Sequence, residues 1–241
     1  MNRAMYAAAS GMAAQQTNLD IIADNLANAD VAGFKGAAAS FGDVNAGGTL
    51  GLGTAEIGRH PVFEQGKLMK SGGPFDLAID GAGFFRVEKN GASAFTRAGE
   101  FTRAADGTLR NADGWALRGV HLPADALNAS VERDGRVVVD TPAVKHRIVG
   151  RVDLAAFRAP EMLRSLGGTI FTQTPESGAP QQIVPGTGRS TIAFGMLEKS
   201  NVSIVESMMQ ILTAQRAYEA NAKGVQAADE MLRIANNLHR S

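Results

Sequence analysis

Both ends of this 241-residue chain carry apolar residues at intervals of seven, whereas the long stretch between them does not. Because seven residues make about two helical turns, this spacing predicts an α-helix with one narrow apolar stripe at each end. A lone helix with such a stripe is only marginally stable in water. We therefore expect the two terminal helices to pair as a coiled coil, completed within one chain or by other copies of it.

The N-terminal segment, residues 1–35, is predicted to be the first of these helices. Its apolar pattern runs from residue 3 to about residue 29 and stops before Gly33, a residue type that commonly terminates helices. The acidic residues Asp20 and Asp24 lie off the stripe. The residues predicted to form its contact surface are Met5, Met12, Leu19, Ile22 and Leu26.

The C-terminal segment, residues 196–241, repeats the pattern over a longer stretch and is expected to pair with the N-terminal helix. Ser200 or Asn201 suits the N-cap of this second helix. Because its stripe is longer than the N-terminal one, a single pair cannot cover it, and the surplus is expected to meet other copies. Heterologous contacts of this kind give filaments when they do not close. The predicted contact residues are Ile204, Met208, Ile211, Tyr218, Val225 and Leu232.

The central part of the chain has a different pattern of residues. Residues 36–59 are rich in glycine and are interpreted as a flexible connector. Residues 60–195 contain short alternating stretches and five Asp-Gly or Asn-Gly pairs, each of which favours a tight turn. This pattern predicts an all-β domain of short strands. The predicted fold class is therefore mixed α and β, with terminal helices that pair as a coiled coil and a central β domain.

Composition excludes several classes of function. The chain has no cysteine, which removes disulfides, thiolate metal sites and a cysteine nucleophile. Its 24 basic and 24 acidic residues balance, which argues against nucleic-acid binding. No stretch approaches the roughly 18 apolar residues of a membrane span. The start of the chain also lacks the apolar run of a cleaved secretory signal.

No constellation of residues favours an enzyme. The stretch from Gly48 to Thr54 has the glycine spacing of a phosphate-binding loop, but Thr54 stands where the lysine is required. The four histidines are far apart in the sequence. Asp76 and Asp80 would share one strand face, yet the turn after Asp80 explains that residue without catalysis. We therefore predict no catalytic, cofactor-binding or metal site.

Three separate motifs resemble the bacterial flagellar rod and hook proteins. The first is LDIIADNLANA at residues 19–29, followed by Gly33-Phe34-Lys35; the second comprises residues 76–85, 95–101 and 111–114. The third is LEKSNV at residues 197–202 with QRAYE at 215–219. They occur in order and span nearly the whole chain. The residues singled out in these motifs are Asn25, Asn28, Gly33, Phe34, Lys35, Asp80, Gly81 and Gly83.

This resemblance implies a structural subunit of the flagellar basal-body rod, a tube that transmits torque through the periplasm. The terminal helices would form its inner layer and the β domain its outer layer. The implied partners are other copies of the chain, other rod and hook proteins, and the flagellar type III export apparatus, which exports subunits without a cleaved signal peptide. Residues 153–157 and the C-terminal motif favour a distal position in the rod. Met5-Tyr6 is more similar to a proximal subunit, and the stretch from Phe41 to Gly66 is shorter than is usual in a distal subunit.

A second interpretation makes the β domain a carbohydrate-binding or wall-binding module, with the coiled coil as its oligomerisation stalk. Such a module needs an aromatic binding face, and the chain offers one tryptophan, Trp115, and two tyrosines. This interpretation predicts a stable small oligomer. A rod subunit, in contrast, is expected to form filaments at high concentration.

Overall fold

A computed structural model describes residues 3–44, 53–188 and 190–238, which divide into two compact units. The helical unit comprises the described parts of Met1–Ala27, Ala37–His60 and Val202–Ser241. The β unit comprises the described parts of Asn28–Gly36 and Pro61–Asn201. Residues 28–36 therefore fold with the β unit, although the sequence pattern predicts most of them as part of the N-terminal helical segment.

The helical unit is built on two long antiparallel helices, α1 (Arg3–Ala27) and α2 (Ile204–Leu238). Ala8 faces Gly224, and Gly11 faces Asn221 about one turn further along α1. Residue numbers therefore rise along α1 as they fall along α2, which sets the antiparallel direction. The prediction of two long terminal helices in contact is confirmed.

The start of α2 lies slightly later than the sequence suggested. The Ser203 hydroxyl accepts a hydrogen bond from the Glu206 N–H at 3.4 Å, and the Ser203 carbonyl accepts one from the Ser207 N–H at 2.9 Å. These are the contacts of an N-cap residue, because they satisfy N–H groups of the first helical turn. Ser200 and Asn201, the predicted caps, precede this turn and belong to the β unit.

Part of the segment interpreted as a flexible connector is β-strand. Strands β1 (Ala37–Asp43) and β2 (Thr54–Pro61) pair with each other, and β1 contacts α1. The Thr54 N–H donates to the Ser10 hydroxyl on α1 at 3.1 Å, which attaches the start of β2 to that helix. The glycine-rich residues 45–52 between the two strands, which carry most of the phosphate-loop-like spacing, lie outside the described residues.

The β unit contains many short strands and one 3₁₀ turn at Pro160–Met162. The strands are β3 (Leu68–Lys70), β4 (Leu77–Asp80), β5 (Phe84–Lys89), β6 (Ala92–Thr96), β7 (Thr102–Arg103), β8 (Thr108–Arg110), β9 (Ala116–His121), β10 (Asn128–Val131), β11 (Arg136–Asp140), β12 (Arg147–Arg151), β13 (Leu154–Ala156), β14 (Arg164–Gly167), β15 (Ile170–Thr172), β16 (Gln181–Ile183), β17 (Thr191–Phe194) and β18 (Met196–Glu198). The prediction of a central domain of short strands is confirmed.

Antiparallel pairing organises these strands into one large sheet and three small ones. The large sheet has nine strands, seven of them in the order β14-β15-β6-β5-β9-β8-β7, while β13 pairs with both β5 and β16. The small sheets are β10-β11-β12, β17-β4 and β18-β3. Strand β18 lies immediately before α2, and its partner β3 lies near the start of the β unit.

Two apolar clusters fill the β unit. The larger is formed by alternating residues of the strands, including Leu77, Phe85 and Leu154, and the Trp115 side chain packs against it. The smaller is a phenylalanine cluster in which Phe63 meets the rings of Phe84 and Phe171 edge to face, at 4.9 and 5.0 Å. Edge-to-face contacts of this kind add to the free energy gained by burying the rings.

The turns follow the glycine pairs identified in the sequence. All five glycines that follow Asp or Asn have positive φ, from 79° at Gly91 to 111° at Gly81. Asn90 also has positive φ, so Asn90-Gly91 forms the two-residue turn between β5 and β6. Glycine adopts this backbone conformation without the steric cost of a Cβ atom.

Candidate assembly site

The Gly33-Phe34-Lys35 motif lies in the β unit and forms hydrogen bonds with Glu198, the last residue of β18. The Gly33 N–H donates to the Glu198 carbonyl at 2.7 Å, and Gly33 itself has a φ of 69°. An added Cβ at this position would overlap the backbone of Ala98. Glycine is therefore required here both by the backbone conformation and by the close approach of a second chain segment.

A buried charge cluster lies next to this motif. The Lys35 ammonium donates to Oε1 of Glu198 at 2.6 Å, and Nε of Arg97 donates to Oε2 of the same carboxylate at 2.8 Å. The Gly66 N–H adds a third hydrogen bond to Oε1 at 2.8 Å. All three charged side chains are buried. A single carboxylate thus connects three segments that are far apart in the sequence.

The charge cluster holds two cations and one anion, and backbone carbonyls solvate the excess positive charge. The Lys35 ammonium donates to the Glu64 carbonyl at 2.7 Å, and Nη1 of Arg97 donates to the carbonyls of Gly81 and Gly83 at 2.9 and 2.6 Å. Burial lowers the pKa of Lys35 from its ordinary value, the Glu198 carboxylate opposes part of this decrease, and the neighbouring Arg97 adds to it.

The side chains of two asparagines form hydrogen bonds with consecutive backbone residues, Gly36 and Ala37. In the helical unit, Asn25 on α1 accepts from the Ala37 N–H and donates to the Ala37 carbonyl, both at 2.8 Å. In the β unit, Asn201 accepts from the Gly36 N–H and donates to the Val62 carbonyl, also at 2.8 Å. Each amide side chain therefore replaces the hydrogen bonds that a neighbouring strand would otherwise supply.

The structure brings together some residues singled out from the sequence and leaves others apart. Gly33, Lys35, Gly81 and Gly83 all contact the charge cluster or its immediate ligands. Phe34 is buried, and Asp80 is exposed at the end of β4. The Asn28 carbonyl accepts a hydrogen bond from the Val31 N–H in the turn that follows α1. Arg97 and Glu198 of the charge cluster are not among the residues predicted from the sequence, although both lie inside the quoted motifs.

The predicted contact residues of α1 lie on the side of the helix that is partly covered. Ile22 is buried, and Met5, Met12, Leu19 and Leu26 are half-buried. The half-buried residues leave part of their surface accessible in a single chain.

The predicted contact residues of α2 are less covered. Ile211 and Val225 are half-buried, whereas the rest are exposed, namely Ile204, Met208, Tyr218 and Leu232. The buried positions of α2 are instead the small residues Ser207, Ala214 and Ala228, which again recur at multiples of seven. Small side chains let two helices approach closely, and four of the six predicted large contact residues of α2 consequently stay exposed in a single chain.

Three family models match the chain in the order of its motifs. The model for the flagella basal body rod protein matches residues 5–35, the one for the flagellar hook protein FlgE/F/G D1 domain matches 78–139, and the one for the flagellar basal body rod FlgEFG protein C-terminal matches 194–238. This chain belongs to the flagellar basal-body rod protein family. Each matched region of the family contributes one residue to the charge cluster: Lys35, Arg97 and Glu198.

Relatives within the rod family align with nearly the whole chain. FlgG of Agrobacterium fabrum is 36% identical over 97% of this chain and 98% of its own length, and FlgG of Borreliella burgdorferi is 36% identical over the full length of both. FlgF of Caulobacter vibrioides is 32% identical over 98% of this chain and 97% of its own. These matches confirm the resemblance stated above, including the likeness to the distal rod protein.

Membership of the rod family makes this chain a subunit of the flagellar basal-body rod and a structural protein, not an enzyme. Within the residues that the structure describes, no helix combines the length and apolar character needed to cross a membrane.

Proposed function

We propose that this chain polymerises into the helical tube of the flagellar rod and transmits torque across the periplasm. The observation that supports this most directly is the outward face of α2. Val205, Met209 and Leu212 are 69, 58 and 57% exposed in a single chain. At about 100° per residue, these positions lie on the side of α2 away from the buried Ser207 and Ala214. A structural subunit with large apolar side chains in this position is suited to bury them against other subunits.

Burial of these side chains between subunits would contribute favourable free energy to assembly. Fully burying one Val, Leu or Met side chain contributes about 1.5–3 kcal/mol relative to leaving it exposed. The exposed members of α2 and the half-buried stripe of α1 recur along the length of each helix, so every subunit can contribute several such side chains. Close packing along both helices also gives the stiff contacts that torque transmission requires.

Partners and location follow from the same proposal. The contacts are made with other copies of this chain and, at the ends of its segment, with other rod and hook proteins. Export runs through the flagellar type III apparatus. We place the subunit in the distal part of the rod, supported by full-length similarity to proteins named FlgG; similarity to a protein named FlgF keeps the proximal position as the alternative.

The binding-module interpretation receives no support from the position of the aromatic residues. Trp115 packs against the larger apolar cluster of the β unit and is only partly exposed. The tyrosines Tyr6 and Tyr218 lie on α1 and α2, not on the β unit. A carbohydrate-binding face on the β unit would need several exposed aromatic rings, and Phe194 is the only aromatic side chain exposed among the described residues of that unit.

The proposal is tested by complementation. The full chain is expressed in a motile bacterium that lacks its own FlgG-type subunit, and basal bodies are purified and imaged. The wild-type chain is expected to restore rods and motility. Leu212→Asp is expected to abolish both, because it places a charge in a surface that must be dehydrated, while the fluorescence of Trp115 shows that the β unit still folds.

Gln226→Asp provides the matched control, since Gln226 is also exposed on α2 but is polar in the wild-type chain. It is expected to leave rods intact. A wild-type chain that never reaches basal bodies would contradict the proposed function. Normal rods built from Leu212→Asp would show that the outward face of α2 is not an assembly contact.

A further inference from the structure

The β unit ends with residues 190–201, which we name the closing segment. It contains β17 and β18, which pair with β4 and β3 in two separate small sheets. Each of these sheets has two strands among the described residues, so the closing segment supplies the only strand partner that β3 and β4 have there. Two strands from the first part of the β unit therefore depend on its last part for their backbone pairing.

One of these two strands, β4, lies in the core of the β unit. Leu77, Ala78 and Ile79 on β4 are completely buried. Ile192 of the closing segment pairs with Ile79 and belongs to the same apolar cluster. Because buried backbone N–H and C=O groups without partners cost free energy, loss of β17 would make the burial of β4 unfavourable.

The closing segment also supplies the anion of the charge cluster. Without Glu198, the buried cations Lys35 and Arg97 would have no carboxylate within the cluster. Removing one partner of a buried ion pair is strongly unfavourable, since it leaves an uncompensated charge in the interior. The rest of the β unit would therefore have to expose these two side chains to water.

The start of the β unit is bound to its end. The Gly33 N–H, in the segment 28–36 that begins the unit, donates to the Glu198 carbonyl at 2.7 Å. The closing segment also reaches the turn between β10 and β11, where the Ile192 N–H donates to the Arg133 carbonyl at 3.1 Å. Its contacts therefore extend from the first residues of the unit to the middle of it.

We propose that the β unit is stable only when the closing segment is docked, so that a partly delivered chain stays unfolded. This inference rests on the proposed function for its setting, in which the subunit passes through the export apparatus before it folds. Because residues 28–36 and 190–201 bind each other, the condition is the same whichever end of the chain arrives first. The β unit then folds in one step, after both of its ends are present.

The alternative is a closing segment that docks late on a sheet that is already folded. The nine-stranded sheet contains no strand of the closing segment, so its own pairing is complete without β17 and β18. In that case the closing segment would open while the sheet stayed folded. Native-state hydrogen exchange separates the two cases, because it measures the free energy of the opening that exposes each amide.

The experiment uses the purified full chain at urea concentrations below its unfolding transition. The N–H groups of Ile192 and Gly195 report on the closing segment, and those of Leu122 and Val152 report on the rest of the β unit. Each donates to a backbone carbonyl at 2.8–3.1 Å. We expect the four protection factors to agree within about tenfold and to depend on urea with the same slope.

The opposite result is equally clear. Protection factors at Ile192 and Gly195 that are more than about tenfold lower than those at Leu122 and Val152 would overturn the inference. They would show that the closing segment opens while the rest of the β unit stays folded.

A mild weakening of the closing segment gives a second test. Ala193→Gly acts on β17, because glycine in a strand interior loses more conformational freedom on folding than alanine does. It is expected to lower the protection of all four reporter amides by the same factor. A decrease confined to Ile192 and Gly195 would overturn the inference. The matched control is Ala143→Gly in the exposed loop between β11 and β12, which should change the protection factors by less than about threefold.

Rod formation is not a readout in these measurements, so this inference and the proposed function fail separately. Low protection confined to the closing segment would overturn the inference and leave the rod assignment standing. Failure of the wild-type chain to enter basal bodies would contradict the proposed function, while the exchange data would still decide whether the β unit requires its closing segment.

Discussion

Glu198 accepts a hydrogen bond from Lys35 at 2.6 Å although 163 residues separate them in the chain. The same carboxylate binds Arg97, so residues from the beginning, middle and end of the chain meet at one buried anion. The connection closes the β unit, because the segment after α1 and the segment before α2 both fold into it. Loss of this anion should therefore affect the whole β unit and not one loop.

Glu198→Gln should lower the free energy of unfolding of the β unit by about 3–5 kcal/mol, since it leaves two buried cations without their anion. Urea unfolding followed by the fluorescence of Trp115, the single tryptophan, reports on this unit. Glu100→Gln is the control, because Glu100 is exposed, and it should change the unfolding free energy by less than about 0.5 kcal/mol. Equal effects of the two substitutions would contradict the role of the charge cluster.

The stability of the β unit should depend on alkaline pH through Lys35. The unfolded chain has the ordinary lysine pKa of about 10.5, and the folded chain has a lower one. Between these two pKa values the unfolded chain binds more protons, so the free energy of unfolding should rise with pH in that interval. Lys35→Met removes the titrating group and provides the reference curve. A wild-type curve parallel to that of Lys35→Met would rule out the lowered pKa.

Gly33→Ala should destabilise the β unit by at least about 1–3 kcal/mol. The substitution forces a side chain into positive φ and against the Ala98 backbone. Gly72→Ala is the matched control, because Gly72 lies in the same unit and a Cβ there meets open space. Thermal and urea unfolding of the two variants are compared. The expectation fails if Gly33→Ala is as stable as Gly72→Ala.

Asn201→Ala should lower the free energy of unfolding of the β unit by about 1–3 kcal/mol, because it removes the hydrogen-bond partner of both the Gly36 N–H and the Val62 carbonyl. Asn128→Ala serves as the comparison, since Asn128 is exposed at the start of β10. Urea midpoints and slopes are measured for both. An unchanged midpoint for Asn201→Ala would show that water replaces the lost hydrogen bonds without cost.

The sequence predicted the helices of this fold better than their contacts. A spacing of seven defines a helix with a stripe, but neighbouring positions on α2 also recur with that spacing. The spacing of seven selects Ile204, Ile211 and Tyr218 because they are apolar, whereas the structure buries Ser207 and Ala214. Close approach of the helices selects small side chains, and apolar periodicity alone does not report this preference.

The charge cluster could not be found from local sequence patterns. Lys35, Arg97 and Glu198 each lie beside turn-forming or polar residues, where a charged side chain is ordinarily solvated. Their burial depends on pairing across 101 and 163 residues. The strands were easier to predict, because Asp-Gly and Asn-Gly pairs mark turns through their immediate backbone preferences.

Thiol accessibility at Met209 tests most directly whether other copies cover the outward face of α2. A Met209→Cys chain is exposed to a water-soluble thiol reagent as the free subunit, within purified rods, and after unfolding, which gives the rate for a fully accessible thiol. We predict that the free subunit reacts close to the unfolded rate and that the assembled rod reacts at least about tenfold more slowly. Equal rates for the free and assembled chains would contradict burial of this face between subunits.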